Sequence, residues 1–172
     1  MSIILQSSGG GSVTIAEPTT ASNFTATMPA ATGTVMVSGN MPAFSATGTG
    51  QSFNASTWTK IQFNTEQFDT ASCFDSSTNY RFTPNVAGYY HISLSAGHGG
   101  SNQIVLAAIY RNGTAYQVVT APNFTATYDP TACLSAVIYF NGSTDYVEGF
   151  INTNVNQTTN GCRFSGAMIR AA

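Results

Sequence analysis

Apolar side chains along this sequence recur mostly at every second residue, and a helical spacing is hard to find anywhere. Thr, Val, Ile, Tyr and Phe are abundant, and breaks rich in Gly or Asn return at short intervals. That pattern predicts an all-β sandwich or barrel. Strand candidates are "SVTIAEP", "FTATMPAATGTVMVSG", "AFSATG", "WTKIQFNTEQFDT", "YRFTP", "GYYHISLSAG", "QIVLAAIYRNGTAYQVV", "CLSAVIYFNGSTDYVEGFI" and "CRFSGAMI". "GGG" at 9–11 reads as a flexible break. Asn112-Gly113 supplies the two positive φ angles of a type I′ turn, so Tyr110 and Arg111 should run antiparallel to Thr114, Ala115 and Tyr116. Asn141-Gly142 marks a second turn with a slightly longer loop.

Two departures from strict alternation carry more information. Tyr89 and Tyr90 are adjacent, so they point to opposite faces of their strand. With Tyr90, Ile92 and Leu94 inward, the face of Tyr89, His91, Ser93 and Ser95 is half aromatic and half polar. "IVLAAIY" (104–110) and "AVIYF" (136–140) are apolar on both sides. In a sandwich one face of such a strand meets the opposite sheet. The other must meet a second subunit or a covering loop. The pattern therefore predicts an oligomer, with Tyr89, His91, Tyr139, Val105 and Ala107 as candidate interface residues.

Composition narrows the classes of partner. Charged residues make up 7% of the 172-residue chain, against roughly 25% in an ordinary soluble domain. A formal charge of −2 with 12% aromatics belongs to a folding chain. The basic residues Lys60, Arg81, Arg111, Arg163 and Arg170 are scattered, which argues against nucleic acid, whose phosphates need clustered cations. No run of eighteen apolar residues predicts a membrane span. The opening "MSIILQSSGGGS" lacks the basic region of a signal peptide. Cys73, Cys133 and Cys162 have no metal-ligand spacing. They read as buried free thiols at strand positions, one disulfide remaining an alternative. Six Asn-x-Ser/Thr sequons read either as glycosylation sites or as chance in an Asn/Thr-rich chain. "NFTAT", at 23–27 and 123–127, diverges at once on its C-terminal side and reads as coincidence.

Candidate chemistry is sparse. No nucleophile-elbow motif accompanies His91 or His98. Glu66 and Asp69 should point to opposite faces of a strand, and no carboxylate pair has glycosidase spacing. Asp69 and Asp75 read as turn or cap residues in preference to calcium ligands. No catalytic residue, cofactor or metal is predicted. If the chain were an enzyme acting on polysaccharide, Glu66, Asp69, Asp145 and Glu148 would be its acids. Loops 48–58, 97–103 and 152–160 combine aromatics with amides and hydroxyls, the residue types of a glycan site. They give Trp58, His98, Asn102, Asn154 and Asn156 as candidate ligand residues, with ordinary solvated loops as the alternative.

Phe63, Asp69, Phe74, Phe82, Gly88, Tyr90 and Ile92 form a spaced series that resembles the globular head domain of complement subcomponent one-q, within the tumour necrosis factor-like superfamily. "AFSA" as first strand, "RNG" opening a hairpin, "FNGSTDYV" and a final "FSGAMI" fit the same resemblance over residues 43–172. The Phe74–Phe82 gap is one residue longer than the family pattern, and Ile92 replaces an aromatic. The resemblance implies a ten-stranded jelly-roll sandwich forming a homotrimer. "GSVTIAEPTTASNFTATMPAATGTVMVSGN" is similar to a segment of bacteriophage fibre and virion proteins, which implies a short extended β arm over residues 1–42 and a jelly-roll head over 43–172. Together they imply a non-enzymatic bacteriophage structural protein at the virion surface, a capsid decoration or short head fibre. It would pair with itself and with the major capsid protein or another virion protein. The alternative is the tip of a tail fibre that binds a host surface glycan.

Overall fold

The computed structural model describes residues 3–16, 19–20, 22–23, 25, 27, 30, 35–100, 103–121 and 129–172. The chain forms two compact units, Met1–Gly33 and Thr34–Ala172. In the first, β1 (Ile3–Gln6) and β2 (Ser12–Ile15) make an antiparallel hairpin that pairs Ile3 with Ile15 and Leu5 with Val13. The flexible break read at 9–11 falls within its turn, Ser7–Gly11, closed by Ser7 N donating to the Gly11 carbonyl at 2.7 Å. All eight strand residues of this hairpin are exposed. Half of "FTATMPAATGTVMVSG" falls outside the described residues, and its described end leads into the 3-10 turn Ser38–Asn40.

The second unit is an all-β jelly-roll sandwich, as the resemblance implied. Its strands are β3 (Ala43–Gly48), β4 (Ser52–Phe53), β5 (Thr59–Lys60), β6 (Thr65–Asp69), β7 (Phe74–Asp75), β8 (Arg81–Phe82) and β9 (Gly88–Gly97). There follow β10 (Val105–Arg111), β11 (Thr114–Ala121), β12 (Thr131–Phe140), β13 (Val147–Thr153), β14 (Gln157–Thr158) and β15 (Cys162–Ala171). One sheet has the order β12-β9-β15-β3-β6, the other β11-β10-β13-β8-β7 with β5 also on β13. A two-stranded clip, β14-β4, sits at one end.

The aromatic series noted in the sequence fills the space between the sheets. Tyr90, Phe44, Phe63, Phe82, Phe140 and Phe164 are all fully buried. Phe44 stacks on Phe82 at 4.3 Å and on Phe74 at 4.8 Å, and meets Phe164 edge-on at 5.1 Å. Tyr90 buries its ring and satisfies its hydroxyl by donating to the Val86 carbonyl at 2.8 Å. "YRFTPNVAGYY" is a crossing rather than a hairpin, since β8 and β9 belong to different sheets. Gly88 allows that crossing, because a Cβ there would run into the Arg170 carbonyl of β15. The Asn112-Gly113 hairpin forms as predicted, with φ of 51° and 77° and with Arg111 opposite Thr114.

Candidate functional site

The outer face of the five-stranded sheet follows from its registers. Inward residues of β9, β12 and β15 are the even-numbered ones, so the odd-numbered ones point away from the core. At one end Tyr139 lies opposite Tyr89, their rings edge-on at 5.4 Å. The next row is Val137, His91, Ala167 and Ala43. Below it Ser135, Ser93, Ser165 and Ser45 sit in register across four neighbouring strands. The last row runs Cys133, Ser95, Arg163, Thr47 and Thr65. Val137 is 54% exposed, Tyr89 45% and Tyr139 40%, and Ile169 and Phe68 are also open. Strands β3, β9, β12 and β15 contain no Asp or Glu. A four-stranded surface without carboxylates and with this much exposed aromatic area is suited to burial against another protein.

The six-stranded sheet treats its second face differently. Tyr110 and Phe150 stack there at 4.0 Å, and Trp58 reaches over from the segment before β5 to lie 6.2 Å from Tyr110. Lys60 donates to Glu148 at 3.1 Å on the same side. Beyond the hairpin, Asp145 accepts from Asn112 Nδ2 at 2.7 Å and from Arg111 at 2.9 Å. These donors, the Asn112 amide first, hold its carboxyl below the usual range, against the opposing effect of burial.

The three loops marked for ligand binding converge at one end of the sandwich. Thr159 ties two of them, since Gly50 N donates to its carbonyl at 2.9 Å and Gln51 N to its hydroxyl at 3.0 Å. Asp129 accepts from Gly100 N at 2.9 Å and Asn160 Nδ2 at 2.8 Å, and the Gly100 amide is the main reason its pKa falls. Asp69 caps Phe74 N at 2.6 Å, and Asp75 accepts from the amides of Ser77, Thr78 and Asn79, so both act as the turn residues expected. Among the described residues no group of three or more His, Cys, Asp or Glu could hold a metal ion.

The predicted residues divide. Tyr89, His91 and Tyr139 share the open face. Val105 and Ala107 do not belong with them: both are 0% exposed and lie in the core between the sheets. Their run was apolar on both sides, but the odd-numbered residues through Ile109 are the ones that face inward. His98 is not on an exposed loop either. It is fully buried at the end of β9, bridged to Thr159, and its Nδ1 donates to the Gly99 carbonyl at 2.9 Å. Trp58 packs on Tyr110 instead of standing free. Asn154 and Asn156 are exposed, yet each uses its side-chain oxygen to hold a neighbouring backbone amide, of Ile104 and Ala55. Asn102 lies outside the described residues. Cys73 and Cys162 are buried free thiols as expected, whereas Cys133 is exposed because it falls on the outward side of β12. Sequence reasoning missed the outward roles of Val137 and Phe68. Val137 could have been found, since it lies two residues from Tyr139 and so shares its face of the strand; Phe68 could not, because a bulge between Ser45 and Ala46 sets its register.

No protein-family model and no curated protein matches the sequence. Solved structures do match its fold. PRD1 vertex protein P5 superposes with a TM-score of 0.59 at 16% identity, over 75% of this chain and 97% of that one. Murine APRIL aligns at 0.57 and 8% identity over 75% and 99% of the two chains. Eiger TNF from S. frugiperda aligns at 0.54 and 7% over 76% and 95%. At these identities the likeness shows the jelly-roll fold alone.

Proposed function

We propose that this chain is a non-enzymatic structural protein of a bacteriophage virion, a homotrimeric surface projection such as a capsid decoration or short head fibre. The observation that carries the reading is the open apolar end of the five-stranded sheet, where Tyr89, Tyr139 and Val137 lie exposed beside Ile169. Three chains closing around a common axis would cover those faces, and His91 would join the contact. The fold likeness to a vertex protein supports a place on a virion surface. Residues 1–42 form the attachment arm and 43–172 the head. The arm's hairpin exposes Ile3, Ile4, Leu5, Val13 and Ile15, an area that the major capsid protein or another virion protein would bury. Three arms on one trimer multiply a weak docking site into stable attachment.

Analytical ultracentrifugation tests the assembly: at micromolar concentration the chain should sediment as a trimer, and a species of 18.0 kDa overturns it. Deleting residues 1–33 should leave the trimer intact and abolish joining to particles. A second reading, the glycan-binding tip of a tail fibre, is favoured by the convergence of loops 48–58, 97–103 and 152–160 at one end. Under that reading the same deletion leaves binding to host cells unchanged.

A further inference from the structure

At the corner of the five-stranded sheet diagonally across from Tyr139, a groove of about 350 Å³ opens between β3, β6 and the start of β15. Thr47, Thr65, Gln67, Asn160, Gly161 and Arg163 line it. From the registers, Thr65, Thr47 and Arg163 stand side by side on three adjacent strands. A six-residue offset along β12 and two to four strands across it put the groove on the order of 25 Å from the tyrosine pair. A contact on that pair leaves the groove open.

The hydrogen-bonding groups in the groove are unevenly used. The Arg163 guanidinium has no carboxylate or acceptor among the described residues. Gln67 spends its carbonyl on the Ser45 hydroxyl at 3.1 Å, which fixes the amide and leaves its NH2 free to donate. Thr47 donates weakly to the Thr65 carbonyl at 3.4 Å and keeps acceptor capacity. Asn160 spends its NH2 on Asp129, which leaves its carbonyl oxygen as an acceptor. Gly161, at φ 64° with nothing within 4 Å of where a Cβ would stand, keeps that wall low. Phe68, exposed and opposite Ser45, offers an aromatic face one row away on the same surface. The set therefore holds one cation, one fixed amide donor, two kinds of neutral acceptor and a nearby ring. A phosphate, with close to two negative charges, would find only one cation among these residues. A neutral sugar would leave the exposed guanidinium to water. The match is a sugar ring whose hydroxyls meet the threonines and amides and whose carboxylate meets Arg163.

We infer that this groove is a binding site for a carboxylate-bearing saccharide unit. The inference gives a ligand class to the tail-tip reading and does not rest on the decoration reading. The full chain is titrated with N-acetylneuraminic acid, glucuronic acid, glucose and acetate, with binding followed by calorimetry and saturation-transfer NMR. At least one acidic sugar should bind with a Kd on the order of 1 mM, about tenfold tighter than glucose or acetate, as one charge-assisted hydrogen bond implies. Arg163→Gln should weaken it about tenfold, Gln67→Ala less, and Arg170→Gln, outside the groove, should leave it unchanged. Acetate binding as tightly as the acidic sugars, glucose binding equally well, or an Arg163→Gln chain that binds normally would each overturn the site. So would the absence of binding by either acidic sugar. Attachment of the protein to host cells without acidic-sugar binding overturns this site alone and leaves the tail-tip reading standing.

Discussion

Strands β10 and β12 are both apolar on two sides, and the molecule solves their second faces in opposite ways. Behind β10, the Tyr110–Phe150 stack and Trp58 close the surface within the chain. Behind β12, Val137 and Tyr139 stay open. A continuous apolar run thus announces that something will cover it, and is silent about whether the cover is intramolecular. The difference traces to neighbours. Strand β10 lies between β11 and β13, with β5 following Trp58 directly onto β13, whereas β12 is the edge strand of its sheet.

The comparison can be pressed by mutation. The largest effect belongs to the core that both sheets share: Phe44→Ala should cost about 3–5 kcal/mol in urea unfolding, because three ring contacts and their volume vanish together. Phe150→Ala strips the cover of β10 at a half-buried site and should cost about 1–2 kcal/mol with no change in sedimentation. If it dissociates the assembly instead, the two faces are not different in kind.

Acid separates the sheets by charge. The Asp145 carboxyl is depressed in the folded chain, so its contribution is present above the ordinary value of about 3.9 and is lost as pH falls through the folded value. The four longest-paired strands of the other sheet, β3, β9, β12 and β15, hold no carboxylate. Amide exchange should therefore accelerate first around Arg111–Asn112 and residues 141–146 below about pH 4, and Asp145→Asn should flatten that dependence. The smallest change in folding stability is expected outside: Tyr89→Asp should alter it by at most about 0.5 kcal/mol while weakening trimerisation more than Tyr116→Asp does. Equal sedimentation of the two variants would move the contact elsewhere.

Much of the fold was legible because alternation and turn chemistry act locally. The Asn112-Gly113 hairpin, the inward Tyr90, Ile92 and Leu94, and the outward Tyr89 and His91 follow from period and φ preference alone. The sandwich crossing after Phe82 was not legible, since "TPNVAG" looks the same whether it returns to its own sheet or passes to the other. Val105 and Ala107 were placed outside because an all-apolar run does not mark which parity faces the core. His98 was misplaced for a related reason: its glycine neighbours suggest a loop, while a partner 61 positions further on, Thr159, draws it into the sheet. The groove at Arg163 was invisible for want of pairing, as its walls come from three strands whose adjacency only the registers disclose.

The row of four serines across β12, β9, β15 and β3 has a consequence for recognition. Side chains of equal size at strand spacing, about 4.8 Å apart, form a level surface with no knob to define a position along it. A partner laid on those four serines alone finds nothing to fix its position until Phe68, which stands opposite Ser45 at the β6 end. Phe68 at the end of the row is what sets the phase, much as a single asymmetric tooth fixes the rotation of an otherwise uniform gear.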